Sequence, residues 1–395
     1  MIYDVAVVGA GACGLTAAIH LNPKKIILFD SKKGAKKLSI TGNNICNVTN
    51  KLGLENFIEH YKPNGDFLRD AFKLFFVNDT IKFLQSLGIQ TTLDNTRVIL
   101  KNKTSKEMSS IILQIAKDKT TFRPNERIID IRKEGDLFIL KTQNHIYISK
   151  IVLLACGGKS FKHTGTDGTC YDIAKKLGHT IVKPTPFEVP FCSKNTENLQ
   201  GISLYNKEIT LKINNKKKTI TGDIIFTHFG ISGPAVLELS ENDFEQAILK
   251  INLIGDKEAF ENNLMSYKGK VKNLIKRHIP QRLADNIMRT DKYVKELSKK
   301  EINSIIDTLI NFSFTVKKCS FDKAFVTKGG ISTKEIDPKT MESKIVKNLF
   351  FCGELIDIQG SIGGFNLQAA FSTGFLAAYE INKKFRKNRK AFADK

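Results

Sequence analysis

Three glycines near the start of the chain have the spacing of a phosphate-binding turn. They separate an apolar run at residues 5–8 from a helix-compatible stretch that reaches residue 21. In such a turn Gly9 permits a sharp change of direction after a strand, Gly11 lets the backbone approach a pyrophosphate, and Gly14 allows a helix to pack closely on the sheet. The N–H groups at the start of that helix attract phosphate oxygens. The pattern predicts a site for an adenine dinucleotide.

An acidic residue downstream supports this prediction. A second apolar run, residues 26–29, ends at Asp30. A carboxylate about twenty residues after the glycines can accept hydrogen bonds from ribose hydroxyls. The features thus occur in the order of a βαβ unit: strand, glycines, helix, strand and acid. This complete order is far more specific than the glycine pattern alone.

The C-terminal part of the chain distinguishes FAD from NAD. An apolar run at residues 349–351 leads into Glu354 and Asp357, and Gly363 and Gly364 precede a strong helical pattern. Acids at a strand end can hold the ribitol of FAD, and a helix N-terminus suits the negative charge of a reduced flavin ring. A dehydrogenase that binds only a nicotinamide cofactor does not need a C-terminal segment that comes back to the cofactor site. We therefore expect FAD as the cofactor. Because no second GxGxxG is present for a nicotinamide domain, we expect NAD(P)H at most as a transient electron donor.

The order of strand and helix patterns along the sequence predicts the domains that position these segments. Residues 1–190 and 324–395 alternate apolar strands with helical patterns, as in a cofactor domain. Within them, the pattern predicts a polar loop at residues 31–50, one helix over residues 66–87, and a strand that contains Ile128. Short alternating strands at 191–256 predict an antiparallel barrel or sandwich, and residues 257–323 predict a small helical domain. The expected fold class is α/β: a Rossmann-like FAD-binding domain of the glutathione-reductase-like two-dinucleotide type, interrupted by the two inserted domains.

Composition limits the partners of the chain. Its 62 Lys and Arg exceed its 40 Asp and Glu, giving a net charge of +22. Lysine is spread along the whole chain, so we interpret it as solvated surface and expect a small-molecule substrate rather than nucleic acid. Seven scattered cysteines without a CxxC predict neither disulfides nor a metal site, and hence a reduced cytoplasmic chain. No apolar run reaches the length of a membrane span. The oligomeric state stays open.

Four further blocks carry a resemblance to a known family: residues 36–50, 155–180, 226–234 and 337–368. With the N-terminal glycines they cover nearly the whole chain. On these blocks the chain resembles the aminoacetone-oxidase-like bacterial flavoproteins of the BaiN/YhiN type. In that family an FAD domain is interrupted by a β-rich domain and a helical one. The resemblance implies the same fold and the same cofactor here.

Two departures from the family pattern concern the substrate rather than the cofactor. Asn43, Asn44 and Ile45 stand where the family has more glycine and a basic residue, and Cys170 stands where a glycine is common. A positive charge missing beside the flavin would change substrate preference or redox potential. Neither departure touches the fingerprint glycines.

The resemblance also implies which residues contact the cofactor. The N-terminal glycines and Asp30 hold the ADP half with Lys37 nearby, and the backbone of Ile128 meets adenine. Glu354 and Asp357 reach the ribitol, and the loop at residues 41–47 covers the ring. The complete implied set is Gly9, Ala10, Gly11, Ala12, Cys13, Gly14, Asp30, Ser31, Lys37, Thr41, Gly42, Asn47, Ile128, Ala155, Cys156, Gly157, Gly353, Glu354, Asp357, Gly363, Gly364, Phe365 and Asn366.

The flavin itself supplies redox chemistry, so no dedicated nucleophile is required. His228 is a candidate acid or base, with a structural hydrogen bond as the simpler interpretation, and Cys46 is a candidate redox thiol or a packed small residue. We expect an FAD-dependent oxidoreductase that transfers hydride between the flavin and a small organic substrate. Two alternatives remain: a flavoprotein that acts on RNA or tRNA, and a flavin-binding protein without catalytic activity.

Overall fold

The computed structural model describes residues 1–44, 46–61, 63–288 and 290–393. The chain forms two compact units, Met1–Thr185 with Val326–Lys395 and Pro186–Phe325. Both predicted inserted domains thus fall in the second unit, and their division into two remains a prediction. Within the described residues, no helix combines the length and the apolar character that a membrane crossing needs.

The first unit opens with alternating strands and helices. Its strands are β1 (Ile2–Val8), β2 (Ile26–Phe29), β3 (Asn47–Asn50), β4 (Thr91–Asp94), β5 (Arg97–Leu100), β6 (Thr121–Arg123), β7 (Asp130–Glu134), β8 (Leu137–Lys141), β9 (Ile146–Leu154) and β10 (Ile181–Phe187). Its helices are α1 (Ala12–His20), α2 (Lys36–Ser39), α3 (Leu54–Ile58), α4 (Arg69–Leu74), α5 (Val77–Ser86), α6 (Ser105–Lys119) and α7 (Thr169–Lys176).

The second unit is a closed antiparallel barrel with helices. Its strands are β11 (Phe191–Cys192), β12 (Ser203–Ile213), β13 (Lys216–Thr227), β14 (Gly230–Ser232), β15 (Ala247–Asn252) and β16 (Phe312–Lys318), in the barrel order β11-β14-β13-β12-β15-β16. Its helices are α8 (Pro234–Leu239), α9 (Lys257–Ser266), α10 (Val271–Ile275), α11 (Gln281–Ile287) and α12 (Lys299–Ile310). The inward residues of the barrel strands, such as Ile209, Leu211 and Leu249, are fully buried. The alternation that predicted these strands therefore marks the barrel interior.

The chain then returns to the first unit with β17 (Val326–Ile331), β18 (Leu349–Phe351) and α13 (Phe365–Ala393). A seven-stranded sheet forms its centre, in the order β6-β2-β1-β9-β8-β7, with β18 paired to the end of β9. Strands β1, β2, β6, β9 and β18 are parallel. Val7, Leu153 and Phe350 are fully buried, as central strands covered on both faces require.

Helices α1 and α13 run side by side in the same direction. Gly374 of α13 lies against Cys13 of α1, where an added Cβ would come within 2.3 Å of the Cys13 carbonyl oxygen. Further along, the Asn382 side chain accepts from Asn22 N–H and donates to the His20 carbonyl. Cys13 is the second residue of its helix and Gly374 the tenth, so α13 starts about 12 Å before α1 at 1.5 Å per residue.

Three local predictions were wrong in detail. The polar stretch at residues 31–50 is not simply a loop, because it contains α2 and β3, and β3 pairs with β5 in a small sheet. One helix expected over residues 66–87 is two, α4 and α5, since the backbone is extended at Phe75 and Phe76. Ile128 was expected within a strand, but β7 begins only at Asp130.

Candidate functional site

The carboxyl ends of four parallel strands finish in register at one edge of the sheet. Val8 of β1 pairs with Phe29 of β2 and with Leu154 of β9, which in turn pairs with Phe351 of β18. The residues that follow these strands therefore lie along the same edge, where open α/β sheets bind ligands. The 23 residues implied as cofactor contacts all belong to this unit.

The glycine turn after β1 has the geometry expected of a phosphate loop. Gly9 has φ +110°, and a Cβ there would lie 2.4 Å from the Ala155 carbonyl oxygen. A Cβ at Gly14 would lie 1.9 Å from the Gly9 carbonyl oxygen, so this glycine lets α1 pack against the turn. Gly11 has nothing within 4 Å of its added Cβ. The backbone is thus open at the position that must approach a pyrophosphate.

Asp30 holds the glycine turn in place. Its carboxylate accepts from Ala10 N–H at 2.9 Å and from Lys32 N–H at 2.7 Å. Burial raises the pKa of Asp30, although these backbone donors and the nearby Arg127 oppose the effect. Each carboxylate oxygen has two lone pairs, so ribose hydroxyls can still be accepted.

Sequence reasoning missed an ion pair beside Asp30. Arg127 bonds to the carboxylate of Asp167 and donates to the Thr169 hydroxyl at 3.0 Å. Asp167 has a lowered pKa because its bonds to Thr169 and Arg127 outweigh its burial. The loop that carries Asp167 also contacts the end of β2, where Ser31 donates to the Gly165 carbonyl at 3.5 Å. Nothing in the spacing of these residues along the chain indicated the pair.

The prediction that the cysteines are unpaired was wrong for four of the seven. Cys156, at the end of β9, forms a disulfide with Cys170 at the start of α7, and Cys192 forms one with Cys319 in the second unit. The pairs are 14 and 127 residues apart, so only tertiary contact brings them together. The thiol of Cys156 is therefore not free at this edge of the sheet.

A hydrogen-bonded cluster surrounds Glu354 just after β18. Lys37 Nζ lies 2.6 Å from Glu354 Oε2 and 2.6 Å from Ser160 Oγ. Glu354 Oε1 accepts from Ser160 Oγ at 2.9 Å and from Thr327 N–H at 2.8 Å. Burial would raise the pKa of Glu354, but Lys37 and the two hydrogen-bond donors lower it below its ordinary value. Lys37 and Glu354 were predicted as separate contacts, whereas Ser160 and Thr327 were missed.

Asp357 lies further along the same segment. Its carboxylate accepts from the Asn64 side chain at 3.0 Å, and burial raises its pKa. The buried Tyr171 hydroxyl has no hydrogen-bond partner in the part of the chain that the structure describes. Its pKa is raised first by burial and then by the charges of Glu354 and Asp357, so it holds its proton.

Strand β3 packs against the turn that precedes α13. A Cβ at Gly364 would meet Asn47 Oδ1 at 2.6 Å, and Asn50 Nδ2 donates to the Gly363 carbonyl at 3.2 Å. The side chain of Asn366 bonds to both backbone groups of Gly360. Phe365 was implied as a ring contact, but its side chain is buried in the core. In the loop predicted to cover the ring, Ile45 lies outside the described residues.

The two catalytic candidates have contrasting surroundings. Cys46 is fully buried, and burial raises the pKa of its thiol to about 12, which favours its interpretation as a packed residue. His228 lies between β13 and β14 in the second unit, and its ring is exposed and edge-on to Phe229 at 5.0 Å. No hydrogen bond forms at its imidazole among the described residues, so the expected structural bond is not present there.

The residues at this edge fit an extended dinucleotide. Thr49 Oγ1, Asn50 Oδ1 and Tyr171 Oη are buried without hydrogen-bond partners among the described residues, as is Asn47 Oδ1. Leaving such a group unsatisfied costs about 1–3 kcal/mol, so natural proteins rarely do so without a ligand or water. Two helix N-termini and the open face of Gly11 belong to the same unit. The arrangement suits a long ligand with an anionic centre and several polar groups.

Comparison with protein families decides the class of the chain. The family model described as "HI0933-like protein Rossmann domain" matches residues 3–380. The chain belongs to the HI0933-like family. The predicted resemblance and the predicted Rossmann-like fold with an antiparallel barrel are confirmed. A member of this family with this fold is an FAD-dependent oxidoreductase.

Two curated relatives match the HI0933-like chain over nearly its full length. A ribosomal RNA dihydrouridine synthase of Haemophilus influenzae is 29% identical, covering 96% of this chain and 98% of the relative. A 3-dehydro-bile acid delta(4,6)-reductase of Clostridium scindens is 26% identical, covering 94% and 97%.

Solved structures support the fold alone. A 3-ketosteroid delta1-dehydrogenase of Sterolibacterium denitrificans superposes with a TM-score of 0.54 at 11% identity, covering 97% of this chain and 100% of that one. A quinol fumarate reductase of E. coli gives a TM-score of 0.53 at 16% identity, covering 97% and 70%.

Proposed function

We propose that the chain binds one FAD along the carboxyl edge of its parallel sheet. In this proposal it reduces a carbon–carbon double bond conjugated to a carbonyl group, with NAD(P)H as electron donor. The observation that carries the proposal is the stagger of α1 and α13, which offsets two positive helix ends by about 12 Å along the helix axes. An extended cofactor with a pyrophosphate and a distant flavin ring needs two such ends.

Each implied residue then has a role at one part of the cofactor. The N–H groups at the start of α1 bind the pyrophosphate through the open face of Gly11, and Asp30 accepts from the ribose. Asp357 and Tyr171 face the ribitol, while Lys37 holds the buried Glu354 in its charged form. The N-terminus of α13, preceded by Gly363 and Gly364, stabilises negative charge on the ring. Bound FAD would supply hydride transfer.

The chemistry of the acceptor is supported by the names of both curated relatives. Dihydrouridine is uridine whose C5=C6 bond, conjugated to a carbonyl, has gained two hydrogens. A delta(4,6)-reductase of a 3-dehydro bile acid saturates double bonds conjugated to a ketone. Such a reduction adds hydride at the carbon β to the carbonyl and a proton at the α carbon, while NAD(P)H is oxidised. His228 is our candidate for the proton donor, since its imidazole is exposed.

A second candidate concerns the size of the substrate. The acceptor is either a small enone or a uracil base within RNA. The RNA version is favoured by the net charge of +22 and by a 29% identical relative named for ribosomal RNA. The RNA version departs from our expectation that the lysines responsible for the net positive charge only form a solvated surface.

Anaerobic reduction followed by acceptor addition tests the proposal. The purified protein is expected to carry one flavin, which NADPH or NADH bleaches. Colour then returns when a cyclic enone or a uridine-rich ribosomal RNA fragment is added, and mass spectrometry detects the gain of two hydrogens. A flavin that neither donor bleaches would exclude NAD(P)H as donor. Reoxidation by oxygen but by no conjugated double bond would overturn the acceptor class.

A further inference from the structure

The outer face of four adjacent barrel strands carries lysines that form no ion pair with an acid of the described chain. Strands β13, β12, β15 and β16 are neighbours in the barrel. Their inward residues are apolar and buried, so the alternate residues point outward. Four of these outward residues are lysines, and we call them the lysine face: Lys212, Lys217, Lys250 and Lys317.

Strand register places these lysines close together. Lys212 pairs directly with Lys217 on one side and with Ile248 on the other. Lys250 lies two residues beyond Ile248 on β15, on the same face of the sheet and opposite Thr210 of β12. Neighbouring strands are about 4.8 Å apart, so the three ammonium groups can reach one ligand.

The charges of the lysine face are not neutralised by the protein. Among the described residues, none of its four lysines forms an ion pair with a carboxylate. Lys250 donates to the neutral amide oxygen of Asn311 at 2.9 Å. Its ammonium lowers the pKa of Lys212 through a direct contact and through charge repulsion. Of the twelve outward positions at 208, 210, 212, 217, 219, 221, 248, 250, 252, 313, 315 and 317, one is acidic, Glu208. The next outward residue of β13 beyond them is the exposed Asp223, whose carboxylate accepts from Asn206 N–H.

Some other lysines of the same unit have carboxylate partners. Lys272 and Lys276 both pair with Asp285, and Lys292 pairs with Glu301. Lys268, Lys299 and Lys300 form no ion pair among the described residues either, but they do not lie on paired strands. The lysine face is distinguished by three such lysines at neighbouring outward positions of adjacent strands. An uncompensated, closely spaced set of cations is an electrostatic footprint for a polyanion.

The remaining outward side chains indicate which part of a polyanion is contacted. Five of the twelve positions carry hydroxyls, and Thr210 and Thr219 are hydrogen-bonded to each other at 2.9 Å. None of the twelve is aromatic, and the exposed Tyr205 at the start of β12 is seven residues from Lys212. The positions around the lysines therefore offer no platform for base stacking. Lysine and hydroxyl donors on a flat sheet suit phosphate oxygens and sugar, which position a nucleic acid without reading its sequence.

We propose that the lysine face binds the ribose-phosphate backbone of an RNA substrate. The proposal rests on the RNA version of the proposed function and adds to it a docking surface on the barrel, distinct from the cofactor edge of the other unit. The surface supplies sequence-independent affinity, and the reactive base is selected elsewhere.

The test compares RNA affinity across three variants of the full-length holoprotein. Lys212, Lys217 and Lys250 are together replaced by glutamine; the matched control replaces the exposed Lys268, Lys299 and Lys300 of the same unit. Fluorescence anisotropy with a labelled ribosomal RNA fragment is measured between 50 and 200 mM salt, a range of about fourfold over which phosphate contacts are strongly weakened. Losing three contacts should flatten the salt slope by about 2 and weaken binding at least about tenfold.

A variant that removes a negative charge, and is therefore expected to strengthen binding, distinguishes an electrostatic effect from damage to the fold. Glu208→Gln removes the acid from the face and is expected to tighten binding, while the control triple variant keeps the slope of the wild type. Equal slopes in the lysine-face variant and the wild type would overturn the proposal. So would a loss of binding to phosphatidylserine vesicles with RNA binding unchanged, because the face would then recognise a membrane.

Failure of this proposal can be told apart from failure of the proposed function. Flavin content and NAD(P)H-driven reduction of a small enone do not involve the lysine face, and both are expected to match the wild type in every variant. If they match while RNA affinity is insensitive to Lys212, Lys217 and Lys250, the docking surface is wrong and the reductase stands. If the wild type reduces no conjugated double bond, the proposed function itself falls.

Discussion

The Lys37–Glu354 pair offers the sharpest test of how the cofactor edge is held together. Replacing Lys37 by methionine keeps the aliphatic stem but leaves the carboxylate of Glu354 with two donors, Ser160 and Thr327. Breaking a fully buried pair costs about 3–5 kcal/mol. The side chains of Lys37 and Glu354 are 27% and 18% exposed, so we expect about 2 kcal/mol of lost stability at pH 7.

The sign of the pH dependence follows from the environment of Glu354. In the wild type its pKa is lowered on folding, so the stabilisation is present above the unfolded pKa of about 4.3 and is lost as pH falls through the folded pKa. Without Lys37, burial dominates and raises the folded pKa of Glu354. The variant then gains stability relative to the wild type as the solution is acidified, because its carboxyl group becomes neutral.

The assay is urea unfolding at pH 7 and pH 5 with FAD at the same saturating concentration. Lys36→Met is the matched control, since Lys36 is the exposed neighbour in the same helix. It is expected to leave stability and its pH dependence unchanged. If Lys37→Met unfolds at the same urea concentration as Lys36→Met, or if its deficit grows on acidification, the described role of the pair is wrong.

Three further predictions concern the glycines, the disulfide and the imidazole. Gly14→Ala should destabilise the fold and abolish flavin retention because its Cβ has no room, whereas Gly11→Ala should fold normally by circular dichroism and bind FAD more weakly; equal unfolding midpoints would contradict this. Cys170→Ser removes the bridge to Cys156, and for a sequence separation of 14 we expect about 3 kcal/mol lower stability by urea unfolding under non-reducing conditions. A thiol reductant also breaks the Cys192–Cys319 bridge, so the comparison is made between the reduced wild type and the equally reduced variant, which should unfold at the same urea concentration. A difference that persists under reducing conditions, or no difference without reductant, would refute the Cys156–Cys170 bridge. His228→Asn should slow reduction of the acceptor, which is the oxidative half-reaction of the flavin, about 10²-fold while flavin bleaching by NADPH is unchanged; an unchanged acceptor rate would exclude it as proton donor.

Much of the first unit could be predicted because its signals are local. The strand at residues 26–29 and the helix after Gly11 follow from apolar runs and glycine positions a few residues apart. The small sheet of β3 to β5 was missed, because its strands are four residues long and partly polar. The break between α4 and α5 was missed as well, since two phenylalanines continue an apolar pattern that reads as one helix.

The candidate site was predicted as a list of residues but not as a set of interactions. The glycines and Asp30 are adjacent to strand ends, so their position at the sheet edge could be inferred. Glu354 was expected to face the ribitol, yet its oxygens are bonded to Lys37, Ser160 and Thr327. Glu354 and these three partners come from four separate segments of the chain, and no spacing rule links them.

The sequence by itself determined the glycine turn, the acid and the two helix starts on which we propose that a dinucleotide is held. Those features depend on backbone conformation over a few residues. Only the tertiary structure decided how far apart the two helix starts lie, which cysteines are joined, and which lysines lack acidic partners. Such properties depend on the register of strands and helices distant in sequence, where a shift of one residue would exchange buried and exposed side chains. Charge composition alone could not distinguish a solvated surface from the lysine face for the same reason.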